Sequence, residues 1–360
     1  MNNKLSRREF VRLAGLTSAA FLTACQRILR PTPTVTLPSS TETPTRLPEP
    51  SATGLATPSS SPTSQATHTP TGSALPVVYR TSVINADGLM NIYNALGRVA
   101  AGKVAVKISS GEPGGHHYLS PELIAPLVQQ VNGTIVECNT AYGGGRSNTA
   151  SHMKVMQDHG FAAIAQVDVM DAEGMMSLPI SGGSHLQEDI VGSHFANYDF
   201  VIDLAHFKGH AMAGFGGVIK NMSIGIASSA GKSLIHSAGT ATTGFGRGTP
   251  QNDFLESMAE AAKGVAEYMG EKILYINVMN NLSVDCDCDS HPAAPTMNDI
   301  GILASLDPVA LDQACVDLVY AAADGGDLIQ RMESRNGIHT LEHAEAIGLG
   351  NRKYQMVSID

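Results

Sequence analysis

Two histidines and a lysine are spaced so that they could share one site. His210 ends the segment His206-Phe-Lys-Gly-His210, Lys220 lies ten residues further on, and His236 sixteen beyond that. Gly214, Gly216 and Gly217 fall between the first two and leave backbone free to approach a bound group, while Asn221 follows the lysine directly. Imidazole is a metal ligand or proton carrier near neutral pH, and a desolvated lysine becomes a usable base or a covalent anchor. A second histidine turn, Ser110-Gly-Glu-Pro-Gly-Gly-His116-His117, follows the apolar run that ends at Ile108. The pattern predicts one pocket with His117, His210 and Lys220 in catalytic roles. Lys220, Gly214, Gly216, Gly217 and Asn221 could hold a cofactor there, and His236, like the other imidazoles, could ligate a metal or carry a proton.

Of the five cysteines, Cys138 and Cys315 sit in apolar surroundings and read as core. Cys286 and Cys288 form a Cys-x-Cys pair, too few for a four-thiolate iron–sulfur cluster. The pair can bind a metal with a further ligand, close a redox disulfide, or remain as free thiols. Asp307-Pro308 reads as the cap and first turn of a helix, which leaves Asp299 as the better carboxylate candidate. No nucleotide-binding fingerprint is present, since Gly214-Phe-Gly-Gly217 and Gly231-Lys232 both lack the required glycine spacing.

The elements that must position these groups alternate between short apolar runs and helical periodicity. Strands are predicted at 104–108, 134–137, 164–169, 200–204, 273–279 and 354–359, and helices at 121–131, 149–159, 252–269, 308–322 and 339–347. This is an α/β pattern, a mostly parallel or mixed sheet flanked by helices, in one unit with room for two lobes. Ligands in such sheets bind beyond the carboxyl ends of the strands, where both histidine turns fall.

Several stretches together resemble the domain-of-unknown-function 362 family. They are Thr140-Ala-Tyr-Gly-Gly-Gly-Arg146 with Ser151-His152, His206 through Asn221, Asp285-Cys-Asp-Cys288, Asp299 through Pro308 and Gly348-Leu-Gly-Asn-Arg-Lys-Tyr354. Many members of that family carry a ferredoxin-like insertion with two four-cysteine clusters after the equivalent of His236. Here residues 237–251 form a short Gly/Thr-rich segment without cysteine, so that cluster function does not carry over. The intervals from His210 to Lys220 to His236 are also similar to those of nickel-pincer lactate racemases. That likeness implies a cofactor-bearing lysine at Lys220, a nickel-binding histidine at His236 and a proton-transfer histidine at His116 or His117. Nickel or iron is the metal implied, and the cofactor is otherwise unspecified.

The first 76 residues differ in kind. Ser6-Arg7-Arg8-Glu9-Phe10 resembles a twin-arginine export signal, and Leu22-Thr23-Ala24-Cys25 resembles a lipobox in which Cys25 is acylated. Ten of the 18 prolines lie between Pro31 and Pro76 in a Thr/Ser-rich stretch that cannot bury enough apolar surface to fold. The expected organisation is a signal at 1–25, a disordered tether at 26–76 and an α/β domain at 77–360, held by lipid on the outer face of the cytoplasmic membrane. Four basic groups and one acidic one precede Cys25, so the chain carries −13 from there onward against −10 as a whole. That balance excludes nucleic acid as a partner recognised by phosphate neutralisation. The expected function is a metal- or cofactor-dependent enzyme doing proton or redox chemistry on a small molecule, of racemase, isomerase or oxidoreductase type. A non-catalytic ligand-binding lipoprotein and an electron-transfer accessory are the alternatives.

Overall fold

The computed structural model describes residues 74–360 apart from Arg247. The export motif, the lipobox with Cys25 and nearly all of the expected tether lie outside the described residues. Eight strands form one mixed sheet in the order β12-β1-β11-β10-β7-β2-β3-β4. They are β1 (Val77–Thr81), β2 (Val104–Lys107), β3 (Thr134–Glu137), β4 (Val167–Val169), β7 (Phe200–His206), β10 (Ile273–Met279), β11 (Gly301–Ser305) and β12 (Gln355–Ser358). From β10 through β4 all neighbours are parallel, whereas β11 runs antiparallel to both β10 and β1. Two ladders lie outside this sheet, β5 (Met175–Pro179) with β6 (Glu188–Gly192), and β8 (Lys208–His210) with β9 (Gly214–Gly216).

The central strands are apolar runs because both faces of the sheet are covered. In β7, Phe200, Ile202 and Leu204 join the cluster that includes Leu89, Ile124 and Leu127, while Val201 and Ala205 join the one that includes Ile219, Met222 and Val309. The first face carries helices Ala86–Ala95 and Pro121–Gln130, the second Val218–Ile226, Gln251–Met269 and Pro308–Ala321. Local chemistry starts several of these helices where the sequence places them. Ser120 accepts the Leu123 N–H with Pro121 in the first turn, Asn148 accepts that of Ser151, and Asp307 accepts those of Val309 and Ala310.

Several segments depart from the sequence expectation, which placed no element at β1, at the β5–β6 ladder or at helices Ala86–Ala95 and Gly326–Ser334. The strand expected over 164–169 is a one-turn helix Phe161–Ile164 followed by the shorter β4. Residues 208–216 form the β8–β9 hairpin, and Lys220 and His236 stand on helices Val218–Ile226 and Ser229–His236. Asp299 accepts the Asn281 N–H at 2.8 Å and does not line the site described next, because it fastens the turn after β10.

Candidate active site

Beyond the carboxyl ends of β2, β3 and β7, a cavity of about 450 Å³ opens against helices Val218–Ile226 and Ser229–His236. Parallel pairing sends those strand ends the same way, so Lys107 at the end of β2, Glu137 at the end of β3 and His206 at the end of β7 reach one rim. His210, Lys220, His236, Cys286 and Cys288 line the same cavity.

Lys220 sits in the first turn of its helix, and the way this turn is held explains two of the glycines. The Asp312 carboxylate, reaching from helix Pro308–Ala321, receives the Val218 and Ile219 N–H groups at 3.0 Å each. A Cβ on Gly217 would lie 2.2 Å from Asp312 Oδ1, so only glycine lets the carboxylate cap this helix. A Cβ on Gly216 would lie 3.1 Å from Lys220 Cδ, so that glycine gives the lysine stem its path. Among the described residues Lys220 Nζ has no hydrogen bond or ion pair. Burial, with Lys208 and Lys107 nearby, lowers its pKa to about 7. Much of the amine is therefore neutral at physiological pH.

His210 and His236 present the same ring in opposite states. His210 Nδ1 accepts the N–H groups of Met212 and Ala213 at 3.2 and 2.9 Å, which assigns the ring proton to Nε2. Burial, reinforced by Lys220 and His236, holds its pKa well below the usual histidine value, so it remains a neutral donor. His236 Nδ1 faces the Lys232 carbonyl at 2.6 Å and must donate to it, which leaves Nε2 as a bare lone pair. Burial lowers its pKa to about 4, and Phe254 and Phe245 pack on its ring.

A charged network surrounds these three. Glu137 faces Arg146 at 3.3 Å and His152 at 3.0 Å, with Lys107 at 3.8 Å. Burial pushes the Glu137 carboxyl up, but Arg146, His152 and Lys107 outweigh it and hold it well below the usual range. Glu112 binds the other side of Arg146 at 3.0 Å and accepts from Tyr142 Oη at 3.0 Å. Asn221 Nδ2 donates to the Lys107 carbonyl and to Asp203, and its Oδ1 accepts from Lys107 Nζ, so it braces the rim. Asp287 pairs with both Lys208 and His206, and Lys232 donates to the Ala227 and Cys138 carbonyls. Lys107, Arg146, Lys208 and Lys232 are thus all engaged.

The expected site residues divide. His210, Lys220, His236, Gly216, Gly217, Asn221, Cys286 and Cys288 share the cavity, whereas His117 and Gly214 do not line it. In the turn after β2 the Glu112 side chain points inward to Arg146 and Gly145, and His117 lies beyond that turn with a buried Nδ1 lacking a partner. Gly214, at φ +83°, packs against Met332 and Gly337. Cys286 and Cys288 are joined as a disulfide, so thiolate ligation of a metal there requires prior reduction, although their sulfurs and a His210 ring nitrogen lie within 4.8 Å of one another. A metal suits His236 better, since its carbonyl-anchored Nδ1 leaves Nε2 free as in metal-bound imidazoles. Sequence reasoning missed Lys107, Glu137 and Lys232. The available signal was a charged residue ending each of two apolar strands, because such groups are buried only when paired.

No curated protein sequence matches this chain. Among solved structures it is similar to the lactate racemase apoprotein from Thermoanaerobacterium thermosaccharolyticum, at 16% identity and a TM-score of 0.41, over 68% of this chain and 57% of that one. A structural-genomics protein from Thermotoga maritima aligns at 13% identity and a TM-score of 0.36, over 72% of this chain and 58% of that one. The chain therefore spans less than two thirds of either structure's length. A family model described as a domain of unknown function, DUF362, matches residues 104–317, which include every strand end and helix that builds the cavity, and the chain belongs to that family.

Proposed function

We propose that the α/β domain is an enzyme that binds a small molecule in this cavity and moves a proton on it. The observation that carries this reading is the Lys220 amine, unpartnered among engaged cations and lowered to about 7. A binding site for a simple cation has no use for such a group, whereas a base or covalent anchor needs it. Lys220 in its neutral form takes the proton or attacks an electrophilic carbon. The His210 Nε2–H donates to an oxygen of the bound molecule that gains negative charge, and the His236 Nε2 lone pair accepts a proton or holds a metal. A metal at His236 would supply Lewis-acid polarisation of that oxygen. The bracing around Lys107 and Arg146 holds the rim in place.

The test is intact mass with elemental analysis of the full chain purified without oxygen, followed by acylation with a small amine-directed reagent at pH 7.5. Selective modification at Lys220, or an added mass that Lys220→Ala loses, is expected. Lys220 reacting no faster than surface lysines, with no added group in the wild type, would reject the reading. We also propose that this domain works outside the cytoplasm, tethered through residues 26–76 to lipid on Cys25; the export motif and lipobox support that placement.

A further inference from the structure

We propose that Cys286 and Cys288 form a thiol–disulfide exchange centre serving a small thiol admitted to the cavity. The bond joins residues only two apart. Closing so short a loop removes little entropy from the unfolded chain, so the bond is a poor structural staple. Its place is at the cavity wall beside His210, whereas Cys138 and Cys315 are buried in the core, and burial raises both of their thiol pKa values.

The two sulfurs are not equivalent. Cys288 is partly exposed and Cys286 is buried, so an incoming thiolate meets Cys288 first. Cys286 Sγ accepts the Cys288 backbone N–H at 3.2 Å. The neighbouring His210 ring, with Nδ1 taken by two backbone groups, can offer only its Nε2–H. The Cys288 N–H favours negative charge on a sulfur released at Cys286, with a His210 ring nitrogen within 4.8 Å of both sulfurs. The same tautomer makes His210 a poor metal partner for the pair.

In the first step a small thiol RSH loses its proton and RS⁻ attacks Cys288 Sγ. The RS–Sγ bond forms as the Cys286–Cys288 bond breaks, and Cys286 leaves with the electron pair as a thiolate that takes up the proton. A second RS⁻ attacks the R-group sulfur of the mixed disulfide, releasing RSSR and a Cys288 thiolate that is protonated in turn. Two thiols are oxidised by two electrons in total, and the protein disulfide is reduced to two thiols.

The test treats the folded full chain with 2-mercaptoethanol at pH 8, then with iodoacetamide without denaturant, and maps the alkylated peptides. Alkylation of Cys286 and Cys288 with Cys138 and Cys315 untouched is expected. The single variants Cys286→Ser and Cys288→Ser are then exposed to bis(2-hydroxyethyl) disulfide, where the adduct should form about tenfold faster on Cys288 than on Cys286. A bond that opens only once urea unfolds the chain overturns the proposal, as does equal reactivity of the two sulfurs. The wild-type mapping stands even if a variant fails to fold. Because the readout is the sulfur pair alone, failure here leaves the Lys220 reading intact, and the reverse holds.

Discussion

His210 and His236 show how one side chain type is set to two tasks by a backbone contact. Two N–H groups fix the His210 proton on Nε2, and one carbonyl fixes the His236 proton on Nδ1. Nitrogen NMR of the folded protein at pH 7 should therefore show opposite neutral tautomers for the two rings; the same tautomer in both would contradict the assigned roles. Lys220 yields a second residue-scale prediction. Its folded-state value of about 7 lies below the ordinary 10.5, so between those pH values the unfolded chain binds more protons and this group's contribution to stability rises with pH. Lys220→Met should stabilise the protein at pH 7 by about 1–3 kcal/mol, with the gain shrinking as pH approaches 10, measured by urea unfolding at several pH values. The spacing of His210, Lys220 and His236 was legible in the sequence. Their protonation states were not, because these depend on which backbone groups the fold turns toward each ring.

At the scale of elements, the helix Val218–Ile226 depends on a cap borrowed from another helix. Gly217→Ala should cost about 1–3 kcal/mol, because its Cβ would displace Asp312 from the Val218 and Ile219 N–H groups, and should also slow Lys220 acylation as the first turn frays. An unchanged acylation rate would separate the cap from the lysine. A similar borrowed contact holds helix Gln251–Met269. Glu260 is fully buried, accepts the N–H groups of Ser184, His185 and Leu186, and meets His343 at 3.1 Å. Burial pushes its carboxyl up, but these bonds outweigh that and hold it below the ordinary 4.5. Its stabilisation is thus fully present above pH 4.5 and is lost as pH falls through the folded-state value. Glu260→Gln should cost about 2–3 kcal/mol at pH 7, with the deficit narrowing in acid. Periodicity placed this helix at 252–269, but nothing in that pattern marks Glu260 as buried. A lone acid on a helix reads as exposed until a distant segment brings donors to it.

For the whole molecule, the sequence of residues 26–75 carries no periodic apolar run, so deleting them should leave Tm within about 5 °C. Cys25→Ser in the native host should release the protein from membranes; continued membrane association would reject the lipid anchor. Strands such as 134–137 and 273–279 were legible because a strand buried on both faces is dominated by apolar and β-branched residues, a local property of composition. So were the helix starts at Ser120 and Asp307, where the capping oxygen lies within a few residues of the N–H groups it satisfies. The hairpin Lys208–Gly216 and the inward placement of Glu112 in preference to His117 were decided only in three dimensions. Arg146, Lys208 and Asp287 are partnered by residues from other elements, and long-range pairing of charge leaves no period in the chain. The residue types and intervals of the site were set by the sequence alone. Which of them face one cavity was set by parallel strand register and by carboxylates arriving from 79 to 94 residues away, as Asp287 does on Lys208 and Asp312 on Val218.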